Sequence, residues 1–152
     1  QGICPSGWHL PSDYEWNQLE KEIATNPSPY ADQTTPLAWD TSYESAIGYR
    51  PVSGTAENYW GRQMKSQTTV NNNPTNGKSY PSANGGFDAL LVGFIAMNGN
   101  IAYYGGETDF SSSSSNASGY AWCRILNNSN SGMDRRTTYK NYLLSVRCKK
   151  ND

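Results

Sequence analysis

Glu107 and Asp109 stand two residues apart in Gly105-Gly106-Glu107-Thr108-Asp109, a pair that could contribute oxygen ligands to calcium. The Asp/Asn spacing of a calcium loop is missing around them, so a solvated turn is the expectation and calcium the alternative. No other metal or cofactor is expected. His9, the one histidine, lies between Trp8 and Leu10 in an expected strand with no second histidine to share a metal. A structural hydrogen-bonding role is expected for it. Gly-x-Ser-x-Gly, Walker and G-x-G-x-x-G elements are all missing, which removes the usual signatures of acyl transfer and nucleotide chemistry. The carboxylates Glu15, Glu20 and Glu22 are assigned to a solvated helix face, and Lys140, Lys149 and Lys150 do not form a nucleic-acid stripe.

The elements that must position these groups begin at Ser12. Ser12 and Glu15 make an S-x-x-E capping box, in which each side chain satisfies a backbone N–H left unpaired by the first helical turn. Trp16, Leu19 and Ile23 then recur on one face, Gln18, Glu20, Lys21 and Glu22 take the wet side, and Asn26-Pro27 ends the helix. Residues 26–55 show no sustained period; Tyr30, Trp39, Tyr43 and Tyr49 there need either burial or a place on a binding surface. A second, shorter helix is expected from an N-cap at Thr55 through Met64, with Tyr59, Trp60, Gln63 and Met64 inward. Residues 67–85, with Asn71-Asn72-Asn73-Pro74 and Asn76-Gly77, read as a long surface loop.

From Ala89 two apolar runs flank Asn98-Gly99-Asn100, the pattern of a hairpin. After the serine run Ser111 to Ser115, three alternating segments follow: Gly119–Leu126, Met133–Tyr139 and Tyr142–Lys149. In the last, Tyr142, Leu144, Val146 and Cys148 share a face. Within Tyr120 to Leu126, Trp122 and Arg124 alternate against Cys123 and Ile125, and core packing is expected for Cys123. Helices early and antiparallel strands late give an α+β class.

At 152 residues the chain suits one domain, 1–152, with a single core. Its net charge is −1, so neither nucleic acid nor an anionic bilayer is an expected partner. No stretch is long and apolar enough for membrane insertion, and an opening at Gln1 suggests a mature or excised fragment. The three cysteines, Cys4, Cys123 and Cys148, have neither C-x-x-C nor zinc-like spacing.

Three blocks carry a family resemblance: Cys4-Pro-Ser-Gly-Trp-His-Leu-Pro-Ser-Asp-Tyr-Glu-Trp16, Gly86-Phe-Asp-Ala-Leu90 and Leu144-Ser-Val-Arg-Cys148. In that order they resemble the Fibrobacter succinogenes major paralogous domain. Trp60-Gly-Arg-Gln-Met-Lys-Ser66 is similar to a further block of that family, while the spacing before it is longer than usual. The resemblance implies a C-type-lectin-like fold related to formylglycine-generating enzymes, with two early helices, a small twisted antiparallel sheet and long irregular loops. It allows the termini to meet and a Cys4–Cys148 disulfide to join them, implying an oxidising compartment; buried free thiols are the alternative. The Glu-Pro-Asn, Gln-Pro-Asp and Trp-Asn-Asp signatures of calcium-dependent lectins are missing, and so is the close cysteine pair of the oxidising relatives.

Between Tyr103 and Tyr142 the chain interleaves Tyr, Asn, Ser, Thr, Asp and Arg with structural apolar residues, a palette suited to recognition. By resemblance to lectin-like domains, whose late strands and loops form the ligand face, the expected surface is Tyr120, Arg124, Asn127, Asn128, Asn130, Asp134, Arg136, Thr138, Tyr139 and Asn141. Trp122, Gly132, Val146 and Arg147 are expected framework. The alternative is that Asn, Ser and Gly merely reflect long loops. The functional expectation is a non-catalytic module at the bacterial surface or outside the cell, taking a glycan or protein ligand on another cell or surface. An adhesive or structural domain of a lipoprotein or fimbria is second, and a degenerate formylglycine-type enzyme third.

Overall fold

The structure is a computed structural model and describes residues 2–51 and 59–152. Ser12 Oγ accepts from the Glu15 amide at 3.2 Å, and the Glu15 carboxylate accepts from the Ser12 amide at 2.9 Å. Helix α1 (Asp13–Thr25) therefore begins with a complete capping box and closes at Asn26. Burial alone would raise the Glu15 carboxyl, but the Ser12 amide and the His9 ring hold it down at about 2. His9 presents Nδ1 to Asn151 at 2.7 Å and Nε2 to Glu15 at 2.8 Å, and these oxygens raise its pKa. Strand β1 (Trp8–His9) pairs antiparallel with β8 (Lys149–Lys150), and a Cys4–Cys148 disulfide lies beside them with Cα atoms 5.8 Å apart. His9 thus ties the two ends of the chain together.

The architecture mixes two helices with small antiparallel sheets. The main sheet has the order β2 (Gly48–Arg50), β7 (Met133–Tyr139), β6 (Tyr120–Asn127), β5 (Glu107–Ala117). Helix α1 covers one face of it, burying Trp16, Ile23 and Ala24 against Phe87, Phe110 and Leu126. Helix α2 (Trp60–Met64) packs nearby; Trp60, Gln63 and Met64 are buried and Tyr59 is half-buried at its start. The expected cap at Thr55 lies outside the described residues. A Cβ on Gly61 would come within 2.2 Å of the Gly132 carbonyl, so this helix can touch the turn before β7 only with glycine there. Trp39 and Tyr43 pack on Trp60 at 5.3 and 5.5 Å between ring centroids, which buries part of the otherwise irregular 26–51 segment.

Four expectations need correction. Glu20 is not on the wet side of α1: it is fully buried, because Arg50 and Arg124 converge on it from the sheet. The serine run is not a separator but part of β5, held by Ser111 O accepting from the Trp16 indole and by the Ser113 amide donating to Pro11 O. Residues 142–149 form no continuous strand. Leu143 bridges to Ile95, Ser145 to Phe110 and Lys149 to His9, three successive partners that leave no single ladder. The hairpin is present but short, with β3 (Phe94–Ile95) against β4 (Ile101–Ala102).

Candidate functional site

The pairing register of the main sheet sorts its charged residues onto two faces. Arg135, Arg124 and Phe110 stand opposite one another across β7, β6 and β5, on the side facing α1. Tyr49, Asp134, Ile125 and Asp109 form the next row across all four strands, on the reverse side, because successive residues of a strand point to opposite faces. On the helix side, Arg50 donates two bonds to Glu20 at 2.5 and 2.7 Å, Arg124 Nε reaches Glu20 at 2.6 Å, and Arg124 and Arg135 both reach Asp13 at 2.7 Å. Arg135 also lies 3.5 Å over the Trp122 ring. These charges are spent on one another.

The reverse side differs. Glu107, Asp109, Asp134 and Arg136 gather there with Tyr49, and Arg136 donates to Asp134. Asp109 is only 3 % exposed and Asp134 is fully buried, yet Oδ1 of each has no hydrogen-bond partner among the described residues. Burial, then the adjacent Glu107 carboxylate, push the Asp109 carboxyl up to about 8; burial likewise raises Glu107. Burial pushes Tyr49 up to about 12, and its hydroxyl accepts a bond from Asn127 Nδ2. Cys123, on the same side, is buried with its thiol raised to about 12 and donates to the Arg136 carbonyl at 3.4 Å. It is a neutral packing group.

A cavity of about 350 Å³ opens over this row, with Glu107, Asp109, Ile125 and Arg136 among its lining. Its remaining wall is five aromatic rings with Thr137 and Thr138. Tyr103, Phe94, Tyr142, Tyr139 and Tyr120 form an unbroken chain of ring contacts at 5.9, 5.3, 5.5 and 4.7 Å between centroids. All five rings line the cavity, with Tyr103 and Tyr139 exposed. A larger groove of about 740 Å³ runs along α1 past Tyr14, Leu19 and Phe87. Its charged groups are already engaged: Lys149 with Glu15 and Asp152, and Arg147 with the Phe87 carbonyl. No unsatisfied buried polar atom among the described residues lines that groove.

Of the expected surface, Tyr120, Arg136, Thr138 and Tyr139 come together around the cavity. Arg124 and Asp134 do not belong on an exposed surface: both are buried, the first drawn inward by Glu20 and Asp13, the second covered on the reverse face beside Arg136. Asn127, Asn128 and Asn130 build the turn after β6. Asn127 Oδ1 accepts from Ser129, Asn130 Oδ1 from the Gly132 amide, the Asn128 carbonyl from Asn76, and the Asn127 and Asn130 carbonyls from Lys65 Nζ at 2.7 and 2.8 Å. Lys65 itself is lowered to about 8 by burial. Asn141 is exposed just past β7, away from the cavity lining. Glu107 and Asp109 are in a strand rather than a solvated turn. Among the described residues no three of His, Cys, Asp and Glu converge as a metal site requires. Residue reasoning missed Phe94, Tyr103 and Tyr142; the only signal for the acidic pair was its two-residue spacing, which puts both side chains on one face once the segment is a strand.

A family model, the Fibrobacter succinogenes major domain, matches residues 1–150, and the chain belongs to that family. Neither a curated protein nor a solved structure matches it.

Proposed function

We propose that this chain is a non-catalytic ligand-binding module with a C-type-lectin-like fold, carried at the bacterial surface or outside the cell, that takes a glycan or protein on the aromatic cavity beside β6 and β7. The observation that carries this reading is the chain of five rings bordering one cavity. Exposed tyrosines without a partner are costly to solubility, whereas a connected aromatic wall with carboxylates and a guanidinium at its floor offers flat contact area plus oriented hydrogen bonds. The disulfide is compatible with an oxidising location, and no helix among the described residues is long and apolar enough to cross a membrane. A glycan array tests the reading, followed by Tyr139→Ala combined with Tyr142→Ala. Binding should fall by about tenfold or more, since stacked rings are each worth roughly 0.5–1.5 kcal/mol beyond their area, with the fold intact by circular dichroism. Binding unchanged in the double variant would refute it.

One observation favours a second reading, a structural or adhesive domain. Met97, Ile101 and Leu143 are 59, 64 and 65 % exposed around the β3–β4 hairpin, an apolar patch suited to a neighbouring domain. The formylglycine-type oxidase reading is set aside, since Cys148 is bonded to Cys4 and Cys123 is a buried, neutral thiol.

A further inference from the structure

The reverse face of the sheet holds more carboxyl groups than cations to meet them. Arg136 is committed to Asp134, which leaves Glu107 and Asp109 with no basic side chain of their own among the hydrogen bonds and ion pairs described. Asp109, 3 % exposed, is among the residues lining the cavity, and among the described residues its Oδ1 is an acceptor with no donor. A buried acceptor left unpaired costs about 1–3 kcal/mol, so a ligand that supplies a donor there recovers that cost on binding. Two further features narrow the donor. Two adjacent buried carboxyls hold a proton between them at about pH 6, and the charge that remains favours a group that brings positive charge, while the surrounding ring faces attract cations in their own right. The opening is also wide: about 350 Å³ falls in the range that holds a small molecule or sugar ring and is more than the thin stem of a lysine fills.

We propose that this cavity takes an amino sugar, a pyranose with an unacetylated amine, its ammonium on Asp109 and Glu107 and its ring against Tyr139 and Tyr142. This rests on the ligand-binding reading above and names the ligand class for the same site. Arg136, beside the acidic pair, is placed to donate to a sugar hydroxyl with whatever donor capacity Asp134 leaves free. N-acetylation of the sugar removes the charge and adds bulk at the point where the carboxyls sit.

The test is isothermal titration calorimetry on the whole chain at about pH 6, below the roughly 7.7–8 of an α-amine, so that the sugar amine is protonated. The probes are a glucosamine tetramer, the same tetramer fully N-acetylated, and Nα-acetyl-lysine amide. The glucosamine tetramer is expected to bind about tenfold or more tightly than the acetylated one, a difference of about 1.4 kcal/mol. Glu107→Gln, which at that pH removes the carboxyl carrying the charge of the pair, should shrink that preference to within about twofold. Asp109→Asn should reduce it in the same direction and serves if the first variant fails to fold. Tyr139→Ala should weaken both tetramers alike. Equal or tighter binding of the acetylated tetramer, still sensitive to Tyr139→Ala, overturns the amine and leaves the ligand-binding reading standing. A lysine amide that binds as tightly as the glucosamine tetramer overturns the sugar in favour of a lysine-bearing protein. If no probe binds, the inference fails, and an empty glycan array would then take the broader reading with it.

Discussion

The two faces of the main sheet carry similar residue types and use them in opposite ways. Facing α1, Asp13 and Glu20 meet Arg50, Arg124 and Arg135, and each carboxylate accepts from at least two guanidiniums. On the reverse, Glu107, Asp109 and Asp134 face a single arginine, and two carboxylate oxygens stay unpaired. Burial is nearly complete in both places for the central groups, so depth does not separate them. Satisfaction does. A buried charge with its partners present fixes the register of helix on sheet, whereas a buried acceptor without one marks where something from outside is to be met.

The sharpest way to break the comparison is Arg124→Ala. It takes one of two guanidiniums from both Glu20 and Asp13, leaving them Arg50 and Arg135, and removing one partner from a buried charge network costs about 3–5 kcal/mol, read as a lower urea midpoint. A loss under about 1 kcal/mol would mean the helix side is no more structural than the reverse.

Next in size is Asp109→Asn, whose effect grows with pH. Asp109 is faced by Glu107 from its own strand, by Asp134 and Arg136 from β7, by Tyr49 from β2 and by Cys123 from β6. Its folded value, about 8, lies above its ordinary 3.8, so the folded chain holds the proton more tightly than the unfolded one. That contribution is fully present below the ordinary value and is lost as pH climbs toward about 8. Asparagine cannot ionise. The variant should therefore gain on the parent chain between those limits, raising the melting temperature at the alkaline end by roughly 2–4 °C per kcal/mol and little at the acid end. A melting difference that does not change with pH would remove the strained acid from the account.

Smallest is Tyr139→Ala alone. Because the ring is 42 % exposed at a strand end, its loss should change stability by no more than about 0.5 kcal/mol while still weakening ligand. A cooperative unfolding midpoint far below the parent's would place Tyr139 with the framework instead.

Much of the frame was legible from local chemistry. Ser12 and Glu15 cap α1 as their spacing requires, β7 runs from Met133 to Tyr139 as the alternation indicates, and β6 differs from its expected bounds by one residue at each end. The packing role of Cys123 also follows, while the linked termini were an expectation of the family resemblance. Glu20 was read wrongly because helical periodicity says which residues share a face, not that an arginine from a strand a hundred residues later will meet one of them. The serine run was missed because serine has little strand preference of its own; Trp16, Pro11 and the register with β6 hold it extended. Of the residues around the cavity, four were anticipated, and Phe94, Tyr103 and Tyr142 were not, since they reach it from separate segments.

Sequence alone determined what depends on neighbours a few positions apart: the helix start, the alternation of the late strands, the near-neutral charge and the turn residues between them. Tertiary structure decided which carboxylates are paired. That outcome depends on contacts between residues as far as 122 positions apart, such as Asp13 with Arg135, and on the absence of any such contact for Asp109 Oδ1 among the described residues. Periodicity is a property of the chain, whereas compensation of a buried charge is a property of the volume around it, and only the folded protein defines that volume.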